Sequence, residues 1–403
     1  MIDLQELALR KAIANRLLSG MHQDEFREVL VEEATSLDAM AAAALPPCAQ
    51  PIERRPSILP RGVNWGPDDA APVEAPINPE PSPDAALPQA DWLVITWTSD
   101  EHRALARVFT PTSPPGEEAD FDKWYDYRRN FGAYRDDLRS GRFDPHPAIS
   151  ANRLGRFYRS DVGSQSVLLF KSELHLNQDG PRAYREGRPL PLVRMTQQLV
   201  REVRPKCLIS TGTAGGAFDN HNLGDTVVTT AGVFHCNDPL DFRTADFNCK
   251  RFGMDYWVRD TLFSRAESLM SVVQEHPFGV PHPRYPQTQP VNLPAVTPRI
   301  HQFRDLPIIT TDFFEFGNTE NRLDLMGCAV EMDDAIIAKA IEELPAAERP
   351  RYVFIRNISD PVLNGQLDRS LQIMWAVYYY ENFGLLTSFN SALATWAVIA
   401  SNP

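Results

Sequence analysis

The stretch that decides the fold of this chain reads Cys207-Leu208-Ile209-Ser210-Thr211-Gly212-Thr213-Ala214-Gly215-Gly216. Its apolar first half predicts a buried parallel strand, because such strands are covered on both faces. The glycines that follow predict a turn in which the backbone can approach a ligand closely. A glycine-rich strand end is equally typical of a plain tight turn, so this segment needs support from the rest of the chain.

Three further segments share this organisation, since each places polar groups directly after an apolar run. They are Trp97-Thr98-Ser99-Asp100-Glu101, Val330-Glu331-Met332-Asp333 and Ile358-Ser359-Asp360. The carboxyl ends of parallel strands meet at one edge of a sheet, where α/β proteins bind their ligands. We therefore expect the four segments to form a single site.

Apolar runs and amphipathic stretches alternate along most of the chain. Strands are predicted over residues 92–96, 167–171, 207–211, 226–230, 307–311, 329–332 and 352–357, and helices over 190–203, 256–275 and 333–343. This alternation predicts an α/β fold with a mixed, mostly parallel central sheet flanked by helices. Residues 111–160 and 276–305 are long insertions that suggest lids, interfaces or substrate-specific walls.

The N-terminal part differs from this pattern. Residues 1–45 show two helical stretches, too small a unit to make a stable core alone, so we expect a helical unit that docks a partner or regulates. Twelve of the 34 prolines fall in residues 46–90, which predicts an extended or disordered linker. The main domain is expected to comprise residues 91–403.

Composition excludes several classes of protein. With 43% hydrophobic residues the chain can bury a full core, and its net charge of -13 argues against coating nucleic acid or acidic membranes. The five cysteines show no C-x-x-C spacing and are expected to be free thiols; they are Cys48, Cys207, Cys236, Cys249 and Cys328. No secretory pattern is present, and the apolar C-terminal stretch is interrupted by polar residues. A cytoplasmic protein that does not enter membranes is therefore expected.

On the four segments the chain resembles the purine nucleoside phosphorylase and nucleosidase superfamily, from about Trp92 to the C-terminus. The continuation through Leu223-Gly224-Asp225 is similar to the family as well. The resemblance implies a nucleoside phosphorylase-like fold for residues 91–403 and a small purine nucleoside or nucleotide as ligand. No cofactor is expected, and no metal-ligand spacing or Gly-x-x-x-x-Gly-Lys loop occurs.

The resemblance implies that Glu331-Met332-Asp333 clamps the ribose, with Met332 under the sugar and Asp333 accepting hydrogen bonds from its hydroxyls. Most family members have Glu where this chain has Asp333, so we expect a looser or shifted sugar contact. The alternative is a helix N-terminus that favours carboxylates because of the helix dipole. Substrate binding is also expected of Thr213, Ala214, Gly215 and Ser359.

Two carboxylates are candidates for catalysis. By resemblance, Asp360 donates a proton to N7 of the departing purine, although an Asp before Pro361 is also a common turn former. Glu101 aligns with the glutamate that activates water in the nucleosidase branch; the alternative is a solvated carboxylate at a helix start. Many family members carry an arginine just before the glycines. Ser210-Thr211 stands there in this chain, which favours hydrolysis, although a different arginine could bind phosphate.

Aromatic and basic residues complete the candidate site. The family places an aromatic ring over the base where this chain has Phe313, Phe314 and Phe316, and we expect Phe314 to take that role and at least one of the others to pack in the core. Arg182, Arg185 and Arg188, near His175, could bind a phosphate at the ribose 5′ position. A solvated charge cluster is the alternative reading.

These expectations describe an N-glycosidase that hydrolyses a purine nucleoside or nucleotide and releases the free base. By analogy with nucleosidase domains of bacterial anti-phage systems, the substrate could be AMP or ATP and the chain a defence effector. A phosphate-dependent phosphorylase and a non-catalytic nucleotide sensor are the alternatives, because both would keep the same pocket. We also expect a homo-oligomer.

Overall fold

The computed structural model describes residue 10 and residues 58–111, 123–139, 146–176, 181–236, 242–273, 297–367 and 369–402. The helical stretches predicted in residues 1–45, apart from Arg10, and Cys48 lie outside the described residues. The same holds for most of the predicted insertion at 276–305.

The strands of the described residues form one mixed sheet. In chain order they are β1 Pro72–Glu74, β2 Trp92–Thr96, β3 Tyr125–Tyr127, β4 Gly155–Val162, β5 Gln165–Ser172, β6 Cys207–Gly216, β7 Thr226–Thr229, β8 Ala231–His235, β9 Arg251–Gly253, β10 Ile300–Phe303, β11 Ile308–Thr311, β12 Ala329–Glu331 and β13 Arg351–Asp360. At the centre β5, β2, β6 and β13 are parallel neighbours. The antiparallel pairs β3–β4, β4–β5 and β8–β9 extend the sheet on both sides. The predicted mixed sheet is therefore confirmed.

Helices cover the sheet. They are α1 Ser99–Phe109, α2 Phe131–Arg139, α3 Pro147–Ala151, α4 Pro181–Arg185, α5 Pro191–Val203, α6 Phe242–Phe247, α7 Phe263–Leu269, α8 Asp334–Glu342 and α9 Arg369–Ser401. The predictions for 190–203 and 333–343 are confirmed by α5 and α8. The helix predicted over 256–275 is wrong except for α7, because Trp257 packs on Trp92 and donates its ring N–H to the Tyr352 carbonyl, which holds that part of the chain on the sheet.

The predicted glycine turn is instead the second half of strand β6. Gly215 and Gly216 pair with β12 on one side, and β13 follows β6 on the other side as far as Asp360. Backbone pairing on both sides keeps the segment extended through Gly216. Consequently the ends of β6, β12 and β13 meet at one place.

Helix α9 is the longest element of the described chain. It packs on α1, α7, β6 and β13. Residues Trp375–Ser401 are long and apolar enough to cross a membrane, since an 18-residue window within them has a mean hydropathy of 1.4, yet 83% of that window is buried inside the domain. Two side chains tie it to the sheet region: Thr395 donates to the Thr211 hydroxyl at 3.0 Å, and Asn390 donates to the Gly224 carbonyl at 2.9 Å. It is therefore a core helix.

The predicted linker over residues 46–90 is wrong for residues 58–90. β1 pairs antiparallel with β4, and the Trp65 ring lies 4.7 Å from the Trp396 ring of α9. Asp69 forms an ion pair with Arg265 of α7 at 2.6 Å, and Leu87 belongs to the main core. The prolines keep this segment extended, but its few large side chains find partners on the domain.

This packing predicts where the chain can be shortened. A protein starting at residue 88 would lose β1, the half-buried Trp65 and the buried Leu87, and we expect its free energy of unfolding to fall by about 3 kcal/mol or more, the usual cost of removing one large buried apolar side chain. Denaturant melts of proteins starting at residues 58 and 88 measure the difference, with Trp65→Ala in the full chain as the matched comparison. Equal midpoints for the two truncated proteins would show that residues 58–87 contribute nothing.

Candidate active site

All four segments contribute to one cavity. It is lined by Trp97, Thr98, Glu101, Thr213, Ala214, Gly215, Thr311, Phe314, Glu315, Val330, Glu331, Met332, Asp333, Arg356, Ser359, Asp360 and Tyr380. Every residue predicted to be catalytic or to bind substrate, apart from the three arginines, is among them. Their individual roles stay predictions. Within the described ranges, no cluster of three or more His, Cys, Asp or Glu side chains is arranged to hold a metal ion.

Two carboxylates lie directly against the glycines of β6. A Cβ atom on Gly212 would lie 2.4 Å from Glu101 Oε1, and one on Gly215 would lie 2.6 Å from Asp360 Oδ2. Real Cβ atoms do not approach other atoms so closely, so a larger residue at either position would displace the carboxylate from its place. The glycine stretch therefore serves to admit these two carboxylates to the end of the sheet.

Glu101 is fixed by the ends of two strands. Its Oε2 accepts hydrogen bonds from the backbone N–H groups of Trp97 and Thr98, at 3.0 and 2.9 Å, and with Thr98 it forms the capping box of α1. Its Oε1 accepts hydrogen bonds from the N–H and the hydroxyl of Thr213, both at 2.7 Å. Glu101 is thus both a helix cap and a wall of the cavity, and with the Thr96 hydroxyl, 3.5 Å from Oε2, five donors face its carboxylate.

Asp360 has the opposite surroundings. It ends β13 and is buried, with its Oδ1 accepting a hydrogen bond from the Ser359 hydroxyl at 2.8 Å. Its Oδ2 has no hydrogen-bond partner in the described part of the chain. Burial raises the pKa of Asp360 to about 7, because the charged form loses its hydration. Near neutral pH the carboxyl therefore carries a proton in a large fraction of molecules.

The Glu331-Met332-Asp333 segment connects β12 to α8. The Asp333 carboxylate is held from the segment after β5: Oδ2 lies 2.9 Å from His175 Nδ1, and Oδ1 accepts the Leu176 N–H at 2.9 Å. Aspartate is one methylene shorter than glutamate, and these two contacts determine where its carboxylate lies. Each oxygen keeps a second lone pair for a hydroxyl donor.

A buried ion-pair network lies beside the carboxylates. Arg356 donates through Nε and Nη2 to both oxygens of Asp334, at 2.9 and 2.5 Å, and its Nη2 lies 3.1 Å from Glu331 Oε2. Ser210 donates to Asp334 and accepts from Arg356 and from the ring N–H of Trp97. Burial raises the pKa of both Glu331 and Asp334, while Arg356 opposes the rise. The guanidinium charge is therefore compensated within the protein.

The aromatic residues separate into core and cavity. Phe313 and Phe316 are fully buried and do not line the cavity, whereas Phe314 does, as predicted. Helix α9 adds Tyr380, whose phenol lies near Thr98, Glu101 and Asp360. Burial and the neighbouring carboxylates raise the pKa of Tyr380 well above its usual value, so it stays a neutral donor.

The three arginines predicted to bind phosphate do not line the described cavity, and their phosphate-binding role stays a prediction. Arg188 forms a bidentate pair with buried Asp137, with both N–O distances 2.7 Å. Arg182 pairs with Glu186 at 3.1 Å, and Arg185 is exposed. Acidic residues nearby in the fold compensate these charges, which sequence spacing alone does not reveal. The alternative interpretation, a surface charge cluster, fits Arg182, Arg185 and Arg188.

Sequence reasoning also gave no role to several residues that line the cavity. The most important are Arg356, Glu315 and Tyr380. Arg356 stands inside β13, where an arginine in an otherwise apolar strand is a sign of a buried charge partner. Tyr380 lies within a long apolar helix, and no local pattern distinguishes it from a core residue.

Comparison with known proteins fits this arrangement. A profile of the phosphorylase superfamily matches residues 130–370, which include β6, β12 and β13. The chain therefore belongs to the phosphorylase superfamily. Glu101 and Tyr380 lie outside the matched residues. The curated proteins give no match to this chain.

Solved structures similar to this chain include three nucleosidases. A 5′-methylthioadenosine/S-adenosylhomocysteine nucleosidase from Neisseria meningitidis is 16% identical, with a TM-score of 0.40, and the match covers 77% of this chain and 98% of that one. An S-adenosylhomocysteine nucleosidase from Streptococcus pyogenes is 14% identical, with a TM-score of 0.43, and the match covers 79% of this chain and 100% of that one. A 5′-methylthioadenosine nucleosidase from Arabidopsis thaliana is 12% identical, with a TM-score of 0.42, and the match covers 78% of this chain and 97% of that one.

Proposed function

We propose that this protein hydrolyses the N-glycosidic bond of a purine nucleoside. The observation that carries the proposal is the difference between the surroundings of Glu101 and those of Asp360. The Glu101 carboxylate accepts hydrogen bonds from several donors, while burial raises the pKa of Asp360 to about 7 and its Oδ2 has no partner in the described chain. Two carboxyl groups in such different surroundings are the usual arrangement for acid and base catalysis in one site.

In this reaction a water molecule attacks C1′ of the ribose as the bond to the purine breaks. The water proton passes to Glu101, and the Asp360 proton passes to N7 of the base, so that neither an anion nor a cation is released. Of the two hydroxyls that donate to Glu101, from Thr96 and Thr213, that of Thr213 belongs to a residue lining the cavity, and its rotation would let the water take its place. Asp333 and Met332 would hold the sugar, and Phe314 the base.

The charges around the cavity favour water over phosphate as the nucleophile. Five of the lining residues are acidic: Glu101, Glu315, Glu331, Asp333 and Asp360. The single basic lining residue of the described chain, Arg356, is already paired with Asp334 and Glu331. A phosphate dianion would find no free guanidinium or ammonium group among these lining residues to bind it.

The finer expectations of AMP or ATP as substrate and of a defence role stay predictions. The nucleotide depended on Arg182, Arg185 and Arg188, which do not line the cavity. The proposal is therefore made for nucleosides, and nucleotides belong in its test. A homo-oligomer and a partner for residues 1–45 also stay predictions.

The test is product analysis with a panel of purine nucleosides, AMP and ATP, each with and without inorganic phosphate. We expect free base and ribose at a rate that phosphate does not change. Appearance of ribose 1-phosphate only when phosphate is present would establish the phosphorylase instead. Tight binding of a nucleoside or nucleotide with no product from any substrate would establish the sensor.

A further inference from the structure

Arg10 contacts one wall of the cavity. Its side chain is 1% exposed. The guanidinium forms an ion pair with Glu315 at 2.6 Å and lies 4.6 Å from the centre of the Phe316 ring. The Arg10 carbonyl accepts a hydrogen bond from the N–H of Phe314 at 3.1 Å. Three successive residues after β11 are thus contacted by one residue some 300 positions earlier in the sequence.

These contacts fix residues that the ligand would touch. Phe314 and Glu315 line the cavity, and the Arg10 carbonyl binds the backbone of the first while its guanidinium binds the side chain of the second. Glu315 is one of five lining carboxylates, so pairing it with a guanidinium reduces the repulsion in an acidic cavity. Stacking on Phe316 anchors the guanidinium in the core.

We propose that Arg10 is a positioning residue, which holds Phe314 and Glu315 in the cavity wall. Arg10 then sets the affinity for the ligand, while Glu101 at the start of α1 and Asp360 at the end of β13 are left in place. The inference rests on the proposed function only for the identity of the ligand.

The test uses the full chain with Arg10→Ala, Arg10→Lys and the control Arg265→Ala. The control removes an ion pair that also ties the N-terminal part to the domain, through Asp69, but it lies outside the cavity. Two quantities are measured: hydrogen exchange of the backbone amides in residues 312–316, and kcat and KM for the best nucleoside. The first does not depend on turnover.

Arg10→Ala should speed exchange at the Phe314 amide and raise KM about tenfold, equivalent to about 1.4 kcal/mol of binding free energy, with kcat little changed. Arg10→Lys should lie between wild type and alanine, since it keeps the charge but not the planar stacking. Arg265→Ala should change neither quantity. Unchanged exchange and KM in Arg10→Ala, or a rise in activity, would overturn the proposal. If the wild-type protein cleaves no nucleoside, the proposed function fails, and the exchange measurement still decides the role of Arg10.

Discussion

Replacing Glu101 with glutamine should lower the rate of nucleoside hydrolysis by about 10² to 10⁴, the usual contribution of a positioned general base. The amide cannot take the proton of the attacking water. The loss should appear in kcat, because the sugar and base contacts remain. Steady-state kinetics on the best nucleoside measure it, and near-normal turnover in this variant would remove Glu101 from the chemistry.

The same substitution should also cost stability, because both oxygens of Glu101 accept from backbone N–H groups. Whichever way the glutamine amide is oriented, its NH2 group faces one of those donors and leaves it unsatisfied. Asp225→Asn is a matched control. Asp225 is fully buried and its two oxygens accept the N–H groups of Arg299 and Asn222, but it does not line the cavity. Both variants should melt earlier than wild type, and only Glu101→Gln should lose turnover.

The parts of this site that the sequence predicted depend on local signals. Apolar, β-branched runs identify β2, β6, β12 and β13. β2, β6 and β13 are parallel, so the polar residues at their ends must lie close together, and β12, although antiparallel to β6, also ends at the cavity. That reasoning brought Glu101, Thr213, Asp333 and Asp360 into one cavity, as the structure shows. The family resemblance supplied roles for them that spacing alone does not.

The parts that it missed depend on contacts between distant segments. Tyr380 reaches the cavity because α9 crosses α1 and β13, and nothing within the helix marks it. Residues 58–90 looked like a linker by composition, yet Trp65 finds Trp396 far along the chain. Arg188 was a candidate for phosphate binding, but in the folded chain its guanidinium donates to Asp137. In each case the partner is set by tertiary packing, which overrides what composition suggests.

Replacing Asp360 with asparagine should abolish most cleavage of natural purine nucleosides, with a loss of about 10² to 10⁴. Asparagine keeps the shape and can still accept from the Ser359 hydroxyl, but it has no acidic proton for N7. A substrate whose leaving group departs as a stable anion does not need that proton. We therefore expect its cleavage to fall far less, and comparing kcat for the two substrates measures the difference.

The pH dependence gives an independent control on this assignment. Because Asp360 acts in its protonated form and its pKa is raised to about 7, wild-type activity should fall above neutral pH. The fall should be about tenfold for each further pH unit, as the protonated fraction declines. Ser359→Ala removes a hydrogen bond to the charged form of Asp360, which raises the pKa of Asp360 further. The alkaline limb of the pH profile, where activity falls, should therefore move to higher pH. Asp360→Asn should lack the limb entirely. Two results together would assign the proton to another group: equal losses on both substrates and an alkaline limb that Asp360→Asn leaves unchanged. Tyr380, a neutral O–H donor near both carboxylates, would then be the next candidate.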